Sequence, residues 1–224
     1  MADKIKNSGQ GRIFRNNSLE IFTKTSPAIT LISYSSIIAL LLWHAHANGK
    51  LVFPRSLYFY LGGLFFWTLF EYVMHRFLFH FISHSKFSKR FHYVIHGVHH
   101  EYPRDEQRVF MPPLPGVIII TIIYFFALFL IRNNASVFIP GLITGYLFYS
   151  FLHYSIHKFR PPKPLKKLWR HHLMHHYQTP DKAFGVSSMI WDRVFGTLPP
   201  GNTQSVKKSQ KHDEVKRVNG MANT

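Results

Sequence analysis

Four stretches of this chain, 28–48, 57–74, 112–131 and 135–153, run almost without Lys, Arg, Asp or Glu. A helix needs roughly 20 apolar residues to cross the hydrocarbon core of a bilayer, and there every backbone polar group must be paired within the segment. The second stretch holds the one acid among them, Glu71, close to its end. The third reads "LPGVIIITIIYFFALFLI", with Pro113 and Pro115 at its start. The links "GKLVFPRS" and "RNNA" are short, so the stretches pair as two transmembrane hairpins. The predicted fold class is therefore an all-α integral membrane protein with four transmembrane helices. Its 224 residues fit a single domain, predicted over 1–200, followed by a polar basic tail over 201–224 that is predicted disordered. No cleavable signal peptide or lipidation motif stands ahead of the first stretch. The absence of Cys excludes disulfides, thiolate metal sites and cysteine nucleophiles, leaving nitrogen and oxygen as the only metal ligands.

The net charge of +17 coexists with 46% hydrophobic residues, so the two properties must be segregated along the chain. Lys and Arg number five in 1–27, six in 75–111 and thirteen from 154 onward, against Lys50, Arg55 and Arg132 in the two opposite loops. By the positive-inside rule both termini and the central loop face the cytoplasm. The surplus charge then reads as topology and contact with anionic lipid headgroups, not as nucleic-acid binding. The membrane is that of the endoplasmic reticulum for a eukaryotic source and the cytoplasmic membrane for a bacterial one.

This topology gathers thirteen of the sixteen histidines at one membrane face. They lie in "HRFLFH" (75–80), "HYVIHGVHH" (92–100), "HYSIH" (153–157) and "RHHLMHHYQ" (170–178), with His84 between the first two. Spacings of i, i+3 and i+4 put the imidazoles of "HGVHH" and "HLMHH" on one helix face, and i, i+4 does so in "HYSIH". His75 and His80 are five apart and would diverge by about 140° on a continuous α-helix. A helix end or loop is expected to supply one of them. Neutral imidazole is the commonest protein metal ligand and suits iron and zinc. Ten ligands exceed what one ion holds; they suffice for two ions of five each, or of four each with some left over. His44, His46, His84 and His212 read as surface residues, His44 and His46 lying roughly 30 Å from the rest along the first span. Glu71 is either an interfacial acid or, four residues before His75, a carboxylate that takes that ring's second N–H.

The segments "EYVMHRFLFH", "HYVIHGVHHEYPRDEQRVFMPP", "HYSIH", "HHLMHHY" and "FGVSSMIWDRVFGTL", from about Glu71 to Leu198, resemble the fatty acid 2-hydroxylases, or sphingolipid α-hydroxylases. These belong to the fatty acid hydroxylase and sterol desaturase superfamily. The resemblance implies four transmembrane helices under a cytosolic helical cap, a histidine-ligated dimetal centre, and hydroxylation at carbon 2 of a fatty acyl chain of ceramide, dihydroceramide or a free fatty acid. By motif the metal ligands are His75, His80, His96, His99, His100, His153, His157, His172, His175 and His176. His92 and His171 fall outside the pattern and, with Glu71 and Asp192, are candidates to orient ligands or face substrate. Many eukaryotic relatives carry an N-terminal cytochrome b5 domain, which the 27 residues before the first span are too few to form. Electrons are thus expected from a separate donor, a cytochrome b5 with its reductase or a ferredoxin.

Cleaving an unactivated C–H bond calls for O2 and a redox metal, so two iron ions are the expected cofactor. Zinc has no redox chemistry, and its presence in purified protein would reflect exchange. Competing readings are a sterol or acyl-chain desaturase or methyl oxidase of the same superfamily, and a zinc-dependent membrane hydrolase of lipid amides, which needs neither O2 nor reductant. A metal transporter, metal store or bis-histidine haem carrier is the non-enzymatic alternative. A transporter would carry ionisable residues in several spans, whereas here only Glu71 approaches one.

Overall fold

A computed structural model describes residues 5–200; the tail predicted from 201, with His212, lies outside the described residues. The described chain is helical, with no strand among its residues. In order the helices are α1 (Asn17–Ile21), α2 (Pro27–Ala47), α3 (Arg55–Val73), α4 (Lys86–His92), α5 (Val98–Glu101), α6 (Pro113–Ile131), α7 (Ala135–Lys158), α8 (Lys166–Tyr177) and α9 (Ile190–Val194). π-helical turns extend α3 over Met74–Phe79 and join α4 to α5 over Tyr93–Gly97.

Among the described residues, three helical segments are long and apolar enough to cross a membrane: Pro27–Ala47, Arg55–Phe79 and Glu106–Lys158. The third folds back on itself at Arg132–Asn134, where Arg132 takes a positive φ of 51° and ends α6. The Phe110 and Phe151 rings lie 5.5 Å apart, and the Met111 N–H reaches the Tyr146 hydroxyl at 3.3 Å. A straight helix of about forty residues would separate them by about 60 Å. α2 and α3 form the other hairpin, for Tyr34 near the start of α2 and Trp67 near the end of α3 both pack on Tyr146, at 4.7 and 5.4 Å. The boundaries differ from the apolar stretches mainly at their histidine-bearing ends. α3 continues through its π-turn and α7 runs on to Lys158, because the polar cap buries these ends and rewards continued helix.

α7 is the most buried of the long helices, packed against α2, α3 and α6. α3 and α7 run parallel and approach closely at Gly63 and Gly141. A Cβ on Gly63 would overlap the Phe138 carbonyl, and one on Gly141 would overlap the Tyr60 carbonyl. Small residues at such crossings let helix backbones meet where lipid offers no hydrophobic drive to association. The outer faces stay apolar and uncovered: Phe129 is 80% exposed and Phe125 and Phe126 each 63%. A stripe of that kind requires hydrocarbon around it.

The cap over one end of these helices is built from α4, α5, α8, α9 and the loops between them. The segment before α2 is tied into it by polar contacts. Arg108 donates to the carbonyls of Gly11 and Thr23 and forms a buried ion pair with Glu20, while Gly11 N–H bonds Asp105 at 2.8 Å.

Replacing Gly63 or Gly141 with Val should cost about 1–3 kcal/mol through overpacking, a drop of roughly 2–12 °C in unfolding midpoint. Gly62→Ala, where an added Cβ meets nothing within 4 Å, should not lower the midpoint and should raise it by a few degrees at most, since Ala favours helix over Gly by about 0.5–1 kcal/mol. Thermal unfolding in detergent, monitored by circular dichroism, measures both.

Candidate metal centre

The ten motif histidines converge under the cap as two groups of five. His75, His80, His96, His100 and His175 form one; His99, His153, His157, His172 and His176 form the other. Within each group the nearest ring nitrogens all lie within 4.8 Å of one another. Every long element ending at this face contributes. α3 and its π-turn supply His75 and His80, α7 supplies His153 and His157, and the π-turn with α5 and α8 feed both groups.

Helical spacing decides that division. In "HGVHH", His96 and His100 at i and i+4 differ by about 40° and join one group, while His99 points to the other. In "HLMHH" the pair His172 and His176 joins the second group and His175 the first. One helix face thus serves two centres, which the rings of His100 and His176, stacked at 4.3 Å, bring edge to edge. The five-residue spacing of His75 and His80 is resolved by a π-turn. An i→i+5 bond from His80 N to His75 O at 3.2 Å adds a residue to the turn and brings both rings to the same side. His80 is at the helix end, as its spacing predicts, but no loop excursion is needed.

Within the groups the Nε2 atoms face one another. His75–His96, His80–His175, His99–His153 and His157–His172 each stand 3.0 Å apart, His96–His100 2.9 Å and His153–His157 3.1 Å. Hydrogen bonding does not account for this. An imidazole nitrogen has one in-plane site, a proton or a lone pair, yet the Nε2 atoms of His96, His153 and His157 each have two such neighbours. Two nitrogens about 2.1 Å from a shared ion, at right angles, would be about 3.0 Å apart. His176 is buried with neither ring nitrogen hydrogen-bonded to protein. The donor set and spacing therefore fit one metal ion per group.

Protonation favours the same role. Burial first, and then the neighbouring imidazoles, hold His96, His99, His100, His172, His175 and His176 well below the ordinary histidine value. Burial pushes His80 down to about 2. Neutral rings present lone pairs. The Nδ1 of His75 donates to the Phe184 carbonyl at 2.5 Å and that of His175 to the Lys182 carbonyl at 2.7 Å, fixing the tautomer that points Nε2 at the centre.

Those two carbonyls belong to the loop 182–187, and it is this loop that the acids hold. Glu71 does not take the His75 proton. Its carboxylate accepts from Val186 N–H at 2.6 Å, Ser187 N–H at 2.9 Å and the Ser187 hydroxyl. The distance of one helical turn to His75 is right, but a loop passes within reach of both residues and its amides claim the carboxylate. Asp192 accepts from Phe184 N–H at 2.9 Å, Gly185 N–H at 2.8 Å, Thr197 Oγ1 at 2.7 Å and His171 Nε2 at 3.0 Å. Burial would raise the Asp192 carboxyl, but the bonds from His171, Thr197 and Gly185 outweigh it and keep it below its ordinary value. His171 is thus occupied by Asp192, outside both groups. His92 donates from Nδ1 to the Phe79 carbonyl at 2.5 Å, pinning the end of the first π-turn. The loop's role was not read from the sequence, although "FGVSS" stood out as a motif.

A cavity of about 430 Å³ opens from the inner edge of the centre. His75, His96, His99 and His153 line one end; Trp67, Leu142, Ile143 and Ile120 line it further into the helical bundle, and Ile13 and Phe22 of the N-terminal segment close its side. His44 and His84 are exposed and, with His46, belong to neither group.

The profile of the family described as fatty acid hydroxylase matches residues 60–197. The chain belongs to the fatty acid hydroxylase family. This member is 34% identical over 204 residues to the dihydroceramide fatty acyl 2-hydroxylase FAH2 of Arabidopsis thaliana, covering 88% of this chain and 84% of that protein. It is 32% identical over 211 residues to the fatty acid 2-hydroxylase of Rattus norvegicus, covering 84% of this chain but only 57% of the rat protein. Its fold matches a solved structure of full-length scs7p, in which only the hydroxylase domain is visible. The TM-score is 0.80 at 32% identity, over 88% of this chain and 75% of that one.

In this hydroxylase-family chain, Ala at any of the ten clustered histidines should lower bound metal measured by plasma mass spectrometry, and His46→Ala should not. Asp192→Asn should weaken metal retention against a chelator by about tenfold, since it frees the loop that fixes His75 and His175.

Proposed function

We propose that this protein hydroxylates carbon 2 of a fatty acyl chain, of ceramide, dihydroceramide or a free fatty acid, using O2 and electrons from a separate carrier such as a cytochrome b5 with its reductase or a ferredoxin. The observation that carries this reading is the apolar cavity that begins at His75, His96, His99 and His153 and runs between membrane-crossing helices. An acyl tail fits such a space.

The proposed enzyme is one domain whose four long helices cross the membrane as two hairpins, with both termini and the centre at the cytoplasmic face. The Lys and Arg distribution supports that orientation. The membrane would be the endoplasmic reticulum in a eukaryote and the cytoplasmic membrane in a bacterium. Two iron ions are the proposed cofactor, held by the ten clustered histidines, with Glu71, Asp192, His92 and His171 positioning ligands through the contacts described. When bound, iron would supply reductive activation of O2 for insertion of one oxygen into an unactivated C–H bond.

The chain's own residues account for where that oxygen goes. The ligands sit at the helix ends and in the cap, so the centre lies at interface depth. A ceramide amide or a carboxyl group stays at that depth, because burying it unpaired in hydrocarbon costs several kcal/mol. Carbon 2 is one bond from that carbonyl. The tail below it can extend along Trp67, Leu142 and Ile143 without bending, while the cavity walls keep water from the reacting carbon. Mid-chain attack would require the tail to turn up into the cap. A zinc hydrolase would leave most of the ten imidazoles without a role. Nitrogens converging within 4.8 Å leave no room for a porphyrin between them.

Purified protein given O2, a reductase and a cytochrome b5 or ferredoxin should form 2-hydroxy acyl chains, independent of chain length, by tandem mass spectrometry. It should form none anaerobically or when loaded with zinc alone. A hydroxyl counted from the methyl end, or product made without O2, would overturn the proposal.

A further inference from the structure

We propose that the exposed basic segment 158–167, between α7 and α8, is the docking face for an acidic one-electron carrier protein. The inference rests on the oxygenase reading above. That reaction, R–H + O2 + 2 e⁻ + 2 H⁺ → R–OH + H2O, needs two electrons delivered to a centre buried under the cap. Two carrier molecules are each oxidised by one electron, one per docking event, and the protons come from water.

Residues 158–167 read "KFRPPKPLKK", and every one of them is exposed. The segment begins at the residue after His157 and feeds α8, which carries His172 and His176 of the same group. Beside it a groove of about 640 Å³ has Arg104, Lys158 and Arg160 on its walls and His157 and Trp169 among its lining residues. His157 is 9% exposed and Trp169 4%, so the groove reaches down to a candidate ligand of the second group. A carrier seated there is separated from the centre by one imidazole. Glu106, the acid on the groove wall, is neutralised by Lys158 at 2.7 Å. Among the described residues no ion pair engages Arg104, Arg160, Lys163, Lys166 or Lys167; the two arginines line the groove and the three lysines continue the exposed segment that leads from it, the arrangement that steers and orients an acidic partner.

The segment is also stiff. Pro161, Pro162 and Pro164 restrict its backbone, and the Trp169 indole N–H holds it by the Phe159 carbonyl at 3.2 Å. Its charges are therefore displayed with little ordering cost on binding. The basic patch on α4 differs. There Lys86, Lys89 and Arg90 alternate with Phe87, 80% exposed, and Phe91, the pattern of a helix lying in a lipid headgroup layer. In 158–167 the large apolar side chains, Phe159 at 56% and Leu165 at 39% exposed, stand six residues apart on either side of the three prolines and do not share one helix face.

The test compares the full-length protein with R160E/K163E/K166E/K167E and with the α4 control K86E/K89E, all in phosphatidylcholine nanodiscs. The probes are an acidic cytochrome b5 domain and an acidic ferredoxin, each with its reductase. For at least one carrier the unmodified protein should bind, with Kd rising as salt is added. The segment variant should show a Kd at least about tenfold higher, a flatter salt dependence and a matching rise in carrier KM, and the α4 control should bind normally. Product formed with reduced methyl viologen, which needs no docking face, should be unchanged, as should metal content and unfolding midpoint. An unchanged Kd, equal loss in the α4 control, or no binding of either carrier would overturn the proposal. So would a defect limited to association with phosphatidylserine vesicles, which would assign the segment to the membrane surface. If the unmodified protein makes no 2-hydroxy product with methyl viologen, the oxygenase reading fails, and carrier binding still decides the docking face.

Discussion

Nine imidazoles facing one another at hydrogen-bond distance, with a tenth, His176, buried among them and too few protons to go between the rings, are the constraint on which the rest of this structure depends. Neutral lone pairs at 3.0 Å repel, and burial prevents the rings from relieving that by ionising, because a charged imidazole under the cap would be stabilised by neither water nor a carboxylate. Cations between the nitrogens would convert the repulsion into coordination. Cap, π-turns and loop then read as devices for holding rings in a geometry that their own interactions oppose. The two carbonyls of the loop 182–187 act directly on His75 and His175, and Glu71 and Asp192 act one step back, by bonding five backbone or side-chain donors within that loop.

The apolar segments and the histidine boxes were both legible in the sequence, because each rests on a local rule. The absence of charge over a bilayer's thickness gave the long helices to within a residue or two at most ends, and i, i+3, i+4 spacing gave faces of imidazole. Where the reading stopped, the cause was a contact between distant parts of the chain. Glu71 and His75 are one turn apart, which predicts a direct bond, yet the partner of each turned out to be a loop more than a hundred residues away. The π-turn at Met74–Phe79 reconciles the five-residue spacing of His75 and His80, something α-helical geometry forbids, and nothing in "MHRFLF" alone announces it. The segment before α2 showed in the sequence only its five Lys and Arg. Its Ile13 and Phe22 nonetheless line the cavity, held there by the Arg108–Glu20 pair.

The division of histidines between the two groups has a further consequence. α5 and α8 each serve both centres, so neither helix can rotate without changing both, and stacking of His100 on His176 makes the same link across the middle. α3 and α7, by contrast, each serve one. The pair of centres is thus hinged on two short cap helices and supported separately by two long membrane helices.

That support has a simple register. Gly63 stands twelve residues before His75 and Gly141 twelve before His153, about 18 Å of helical rise in each case. Because α3 and α7 run parallel and touch backbone to backbone at those glycines, equal rise from a shared contact brings His75 and His153 to the same height, one in each group. The spacing between the two histidine groups is therefore set partly by a crossing deep among the apolar helices, where none of the ten clustered histidines lies. A side chain added there would push the helices apart at the crossing and tilt their ends. Packing in the hydrocarbon and ligand geometry under the cap are two ends of the same pair of rigid rods.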